Sequence, residues 1–302
     1  MRLLQNVIRK KRNIHIFRIG IDAGFFSEYN NMILAYLYCL ENGIDFSLYS
    51  ENANFSFDKG WEDYFLPFCP KVTDPIHNQI NIRGHHKMSR KNKLRTLLFK
   101  LRHQQISLTH DLWFKYRDWS FAKQKFGERS LDLQEAAGEL VKQTWRYNEA
   151  TQKEITARIN SLNLPDQYLG LHIRGGDKFI EAKLMEINSY IDKIESLSDI
   201  KSIFLLTDDY RVVDSLRALR PAWDIYTFCR AEERGYFHDQ FEKVNSEQRK
   251  EDHLKLFSSI EVLANAAFFV GTYTSNPGMY LGMRMGKDRC FGVDAPEWLL
   301  MW

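Results

Sequence analysis

The stretch LGLHIRGGDK, residues 169–178, runs from apolar residues straight into a histidine, an arginine, two glycines and an Asp-Lys pair. Its first half has the composition of a buried strand, and the glycines mark a sharp turn at the strand's carboxyl end. The chain that follows repeats this pattern. INSYIDKIESL reads as a helix, KSIFLLTDD as a strand and RVVDSLRAL as a helix, and DIYTF, DHLKLFSSIEVLANA, AFFVGTYTSN and PGMYLGMRMG continue the alternation. Strands separated by helices of about ten residues predict a parallel sheet with right-handed crossovers.

The alternation begins after the turn NLPD, which places an expected domain boundary at residue 163, with one domain over 1–163 and a second over 164–302. A chain of 302 residues suits two domains. The first part opens on IHIFRIGID, a β-rich run. Met32, Ile33, Tyr36, Leu37 and Leu40 then recur at helical spacing, Gly43 stands where that helix stops, and IDFSLYS reads as a strand, so this part also starts as a β-α-β unit. Residues 61–123 are aromatic and basic without a clear period, and residues 130–161 read as one or two helices whose polar faces carry Glu135, Glu139, Lys142 and Lys153.

A composition of 44% hydrophobic and 27% charged residues is that of a globular protein. The net charge of +3 is too small to imply a nucleic-acid partner, and no basic module with interleaved aromatics is present. The charge is unevenly spread: between Arg83 and His103 lie eight Lys and Arg and no acid, the pattern of a solvated helix face or of a surface for anionic lipid or a phosphorylated acceptor. The basic start MRLLQNVIRKKRNIHIF lacks the apolar core of a signal peptide, and no run of about 18 apolar residues occurs. The expected location is cytoplasmic, with peripheral contact to the inner face of a membrane through residues 83–103 as the variant of that expectation. Cys39, Cys69, Cys229 and Cys290 lie far apart without metal-ligand spacing and read as buried free thiols of a reducing compartment. His85, His86, His238 and His253 offer no ligand triad, and the double Asp of TDD is not a D-x-D, so no metal site is expected.

In an open parallel sheet, ligands bind outside the carboxyl ends of the strands. Three such ends carry polar residues here: His172, Arg174, Asp177 and Lys178; Thr207, Asp208 and Asp209; and Thr272, Thr274, Ser275 and Asn276. Gly175 and Gly176 allow a diphosphate to approach the main chain. Arg174 supplies a planar fork that matches phosphate oxygens. Ser275 and Asn276 precede Pro277 at an expected helix start, whose N–H groups favour an anion. Together these residues read as a pyrophosphate cradle.

The series GLHIRGGDK, IFLLTDD and FFVGTYTSN resembles the H-x-R-R-x-D-K, T-D-D and C/G-T-x-S-S motifs of the α1,6-fucosyltransferase and nodulation-fucosyltransferase superfamily, over residues 168–286. GFFSEYNNMILA resembles the glycine-containing helix start of that superfamily's first domain. The resemblance implies an α/β, GT-B-like fold in which two Rossmann-type domains face each other across a cleft, with the donor site in the C-terminal domain. It implies GDP-fucose as donor, no metal or other cofactor, and a glycan or lipid-linked glycan as acceptor. By position, His172 and Arg174 would contact the diphosphate and Asp177 and Lys178 would organise the site. Asp208 and Asp209 would hold the loop and sugar region, and Ser275 would bind phosphate between Thr274 and Asn276.

One departure stands out: Gly175 occupies the place of the superfamily's second arginine, for which Arg284, Lys287 and Arg249 are candidate substitutes. Glu181 is the candidate general base, one position before the superfamily's acid, where this chain has Ala182; Asp22, at the end of the first strand, is the alternative. Glu261 is the candidate reader of guanine. The expected function is inverting transfer of fucose, of the α1,6 type, to a glycan hydroxyl in bacterial surface or secreted glycan synthesis. An α1,2-fucosyltransferase, whose H-x-R-R-G-D motif is similar, and a GDP-binding protein with a degenerate, non-catalytic site are the alternatives; Lys178 after the aspartate favours the first reading.

Overall fold

The computed structural model describes residues 13–126, 132–175, 187–235 and 245–300. Its first half contains β1 (Ile14–Arg18), α1 (Phe25–Glu41), β2 (Asp45–Tyr49), β3 (Lys71–Val72), α2 (His77–Ile80), α3 (Arg90–Arg102), β4 (Ile106–Leu108), α4 (Thr109–Phe126), α5 (Leu133–Thr144) and α6 (Glu149–Ser161). The second contains β5 (Leu169–His172), α7 (Ile187–Leu197), β6 (Ser202–Leu206), α8 (Tyr210–Leu219), β7 (Asp224–Tyr226), α9 (Ser246–Asn265), β8 (Phe269–Gly271), α10 (Asn276–Met285) and β9 (Cys290–Gly292). The strands form two all-parallel sheets, ordered β3-β2-β1-β4 and β7-β6-β5-β8-β9. In each sheet the order reverses beside the first strand, at β1/β4 and at β5/β8, the topological switch points of Rossmann-type sheets.

The sequence explains these elements locally. Gly24, in extended conformation at φ −61° and ψ 152°, caps α1, and Gly43, at φ 64°, turns the chain out of it. The second strand of the C-terminal sheet stops at Leu206, earlier than KSIFLLTDD suggests, because Thr207 Oγ1 accepts the Asp209 amide at 3.2 Å and Asp209 then caps α8. Such caps each contribute about 1 kcal/mol. α9 begins earlier than expected, at Ser246, because Asn245 accepts the Gln248 amide. The amphipathic faces of α7 and α8, through Tyr190, Ile191, Ile194, Val213 and Leu216, cover Leu169, Leu171, Ile203 and Leu205 of the second sheet.

Residues 61–123, without a period in the sequence, prove ordered. β3 and β4 are two and three residues long, too short for alternation to register, and β4 pairs with β1 on the side opposite β2. Asn163 adopts φ 49°, a left-handed conformation that Asn tolerates, and turns the chain between α6 and β5. Although α5 and α6 precede this turn, they pack along α10 and α9 of the second half.

The core runs through both halves. Phe25, Phe26 and Tyr29 of α1 meet Phe257 of α9, Tyr280 of α10 and Trp145, with Phe25–Phe257 and Phe26–Tyr280 centroids both 4.9 Å apart and Trp145–Tyr280 at 4.5 Å. Aromatic pairs at these separations add about 0.5–1.5 kcal/mol each beyond the area they bury. The helices of the two halves therefore meet in an aromatic seam. Cys39, Cys229 and Cys290 are buried and Cys69 is half-buried; all four are free thiols, and burial pushes each up to about 12, which keeps them protonated at neutral pH.

Candidate active site

Parallel pairing fixes which loops share an edge. β5 lies between β6 and β8, with His172 opposite Leu206 and Leu171 opposite Val270, so the chain leaves the sheet side by side at residues 173–175, 207–209 and 272–276. The three strand ends expected to converge do lie on one edge. Gly176, Asp177, Lys178 and Glu181 fall outside the described residues, as does His238.

His172 is buried at the last position of β5. Arg174 is about a quarter exposed, its Nε 4.0 Å from Asp208 Oδ2. Asp208 also accepts the Gly175 amide at 2.7 Å, which clamps the turn after β5 to the turn after β6. A Cβ on Gly175 would lie 2.8 Å from Asp209 Cβ and 3.4 Å from Asp208 Oδ1, so a close approach of two turns requires the glycine. Asp209 is buried and structural: it caps α8 through the Arg211 amide, and the Arg211 guanidinium holds its carboxyl below the usual carboxylate range.

The third loop is braced by Asp294, a residue not singled out in the sequence. It accepts the amides of Tyr273 and Thr274 at 2.8 and 3.0 Å and the Thr274 hydroxyl at 2.6 Å. The Thr274 hydroxyl is therefore engaged within the loop. Ser275 caps α10: its Oγ accepts the Gly278 amide at 3.1 Å and donates to the Thr272 carbonyl at 2.8 Å. Asn276 and Pro277 form the first turn, as expected, and that helix end faces the same edge as Arg174.

The first half reaches this helix end directly. Asn30 of α1 is fully buried, and its Nδ2 donates to the Asn276 carbonyl at 3.1 Å, so the helices that follow β1 and β8 start against each other. The loop after β1 is equally constrained. Buried Glu28 accepts the amides of Gly20 and Ala23 at 3.1 and 3.2 Å and pairs with Arg83, whose guanidinium lies 5.0 Å from the Trp113 ring centroid. Asp22 projects from that loop, 60% exposed, with Arg83 Nη1 at 3.9 Å. Glu28 and Asn30 were legible in principle, as polar residues set in the apolar helix FFSEYNNMILAYL.

Glu261 and two of the candidate substitute cations, Arg284 and Lys287, have other partners. Glu261 makes two contacts with Arg284, at 2.7 and 2.5 Å, and accepts the Trp145 indole at 2.9 Å. Burial alone would raise the Glu261 carboxyl, but the Arg284 guanidinium outweighs it and holds the group below its ordinary range. This pair sits in the aromatic seam, so it ties α9 to α10 rather than lying on the loop edge. Lys287 pairs with Asp132, the cap of α5. Among the described residues no group of His, Cys, Asp and Glu is arranged to hold a metal ion. No described helix is long and apolar enough to cross a membrane.

Two Rossmann-type sheets joined through their helices, with a polar edge at the switch point of the second, make up a GT-B-type fold. No protein-family model and no curated protein matches the sequence. Solved structures do match the fold. The NodZ α-1,6-fucosyltransferase co-crystallised with GDP aligns at a TM-score of 0.56 and 16% identity, covering 90% of this chain and 92% of that one. Another structure of that enzyme, from Bradyrhizobium, gives 0.54 and 17% over 90% and 92%. POFUT1 in complex with GDP-fucose aligns at 0.52 and 10% over 91% and 95%, and Arabidopsis thaliana FUT1 in complex with GDP at 0.52 and 12% over 91% and 69%. The chain therefore shares the fold of these fucosyltransferase structures, the fold that its motifs implied.

Proposed function

We propose that this protein is an inverting glycosyltransferase that moves fucose from GDP-fucose to a glycan hydroxyl, of the α1,6 type, in the synthesis of bacterial surface or secreted glycans. The observation that carries this reading is the placement of Arg174, the Gly175–Asp208 clamp and the start of α10 on one edge, at the β5/β8 switch point, in a fold shared with enzymes crystallised with GDP and GDP-fucose.

In this mechanism Arg174 and the α10 N-terminus meet the diphosphate charge without a metal. The acceptor oxygen forms a bond to the sugar's anomeric carbon as the bond from that carbon to the phosphate oxygen breaks. GDP leaves with the electron pair from the opposite face, and the hydroxyl proton passes to a carboxylate. Glu181 is the assigned base, with Asp22 the alternative across from the donor edge; Asp177 and Lys178 organise the donor loop.

The test is a panel of GDP-fucose, GDP-mannose, UDP-N-acetylglucosamine and UDP-galactose, scored by donor hydrolysis and by transfer. GDP-fucose turnover is expected. Turnover of GDP-mannose alone would replace the sugar, and turnover of a UDP-sugar would overturn the nucleotide assignment.

A further inference from the structure

α3 turns its leucines toward solvent. Leu94, Leu97, Leu98 and Leu101 are 57, 55, 50 and 62% exposed, whereas Thr96 is buried and Phe99 packs against the His77 ring. At about 100° per residue, the four leucines fall in an arc of about 100° on the side opposite Asn92, Thr96 and Phe99. On the same geometry Lys91 and Arg102 border that arc on one side and Lys93 and Lys100 on the other, and Arg90 stands at the helix start within it. The helix carries six Lys and Arg and no acid. An apolar stripe between two rows of long cations is the arrangement that buries leucines at an acyl boundary while the ammonium and guanidinium groups stay among headgroups.

We propose that α3 docks the protein on the surface of an anionic lipid bilayer. Charge selects this occupant: a second copy meeting the same face would set the cations beside the stripe against their like, whereas anionic headgroups complement them. The helix is also held in place beforehand. Ser89 caps it, Arg95 bonds to Gln79 of α2, and Lys100 pairs with Asp111 at the start of α4. The segment leading into it carries Asn81, whose Nδ2 donates to the Ile16 carbonyl at 2.9 Å, and Arg83, which braces the loop after β1. The lipid-facing helix is thus tied to the same edge of the first sheet that bears Asp22.

The experiment is flotation of the full chain with vesicles of phosphatidylcholine, alone or with about one-third phosphatidylglycerol, without nucleotide or acceptor, so the result does not depend on the donor chemistry. Binding to the anionic vesicles only, weakening as salt rises, is expected. Lys91→Gln with Lys93→Gln should weaken it about fivefold per cation. Leu97→Gln with Leu101→Gln should weaken it about tenfold or more, and the unfolding midpoint of both double variants should stay at the wild-type value because all four side chains are exposed. Absence of binding to anionic vesicles, equal binding to neutral ones, or binding unchanged in both variants would overturn the proposal. A concentration-dependent dimer abolished by the leucine substitutions, with no vesicle binding, would assign the face to a second copy instead.

Discussion

The backbone amide of Gly175 donates to Asp208 Oδ1 at 2.7 Å, and this bond ties the turn after β5 to the turn after β6. Gly175 is not among the residues with positive φ, so its requirement is space rather than a left-handed backbone. Gly175→Ala would place a methyl 2.8 Å from Asp209 Cβ and should lower stability by about 1–3 kcal/mol, with GDP binding weakened in parallel. Gly175→Arg should do the same and not tighten GDP, although it restores the arginine of the resembled motif. Thermal unfolding and GDP titration of both variants check this; tighter GDP binding at an unchanged midpoint would refute the close-approach explanation.

Glu261 and Arg284 are expected to stabilise the seam between the halves. Glu261→Gln leaves a half-buried guanidinium without its counter-charge, and a loss of about 1–3 kcal/mol is expected. Because the folded-state carboxyl is held below its unfolded value, this contribution is complete above the unfolded pKa of about 4.3 and disappears as pH falls through the lower folded value. Wild-type stability should therefore fall with acidification below pH of about 4, and the Glu261→Gln protein should lack that component. A variant with wild-type stability but strongly weakened GDP binding would return Glu261 to the role of guanine reader.

The architecture of the second half was legible because its helices are amphipathic and its strands are apolar runs closed by polar turns; INSYIDKIESL coincides with α7. β4 was not, since three residues carry no period and its membership in the sheet depends on pairing with β1. At the site, the sequence marked Arg174, Asp208 and Ser275 by their position after strands. It did not separate their duties: Asp209 caps a helix, the Thr274 hydroxyl is taken by Asp294, and Glu261 has an arginine partner 23 residues away in the chain. Such partnerships join residues distant in sequence, and local pattern holds no record of them.

Asp294→Ala removes the acceptor for the Tyr273 and Thr274 amides and the Thr274 hydroxyl, and should loosen the loop that leads into α10. Ser275→Ala removes the cap of that helix, for about 1 kcal/mol. Both should weaken GDP more than GMP, since the helix end faces the diphosphate in the proposed complex. Equal weakening of the two nucleotides would place this loop at the base or ribose.

The decisive measurement is calorimetric titration of GDP into the wild-type protein and Arg174→Ala, both in EDTA. The expected result is saturable binding to the wild type without added metal and a Kd raised about 10- to 100-fold in the variant, the scale of one lost charge-assisted contact. GMP should be affected less. No GDP binding by the wild type, binding that returns only with a divalent ion, or an Arg174→Ala protein that binds GDP as tightly as the wild type would contradict a metal-free diphosphate site at the carboxyl end of β5.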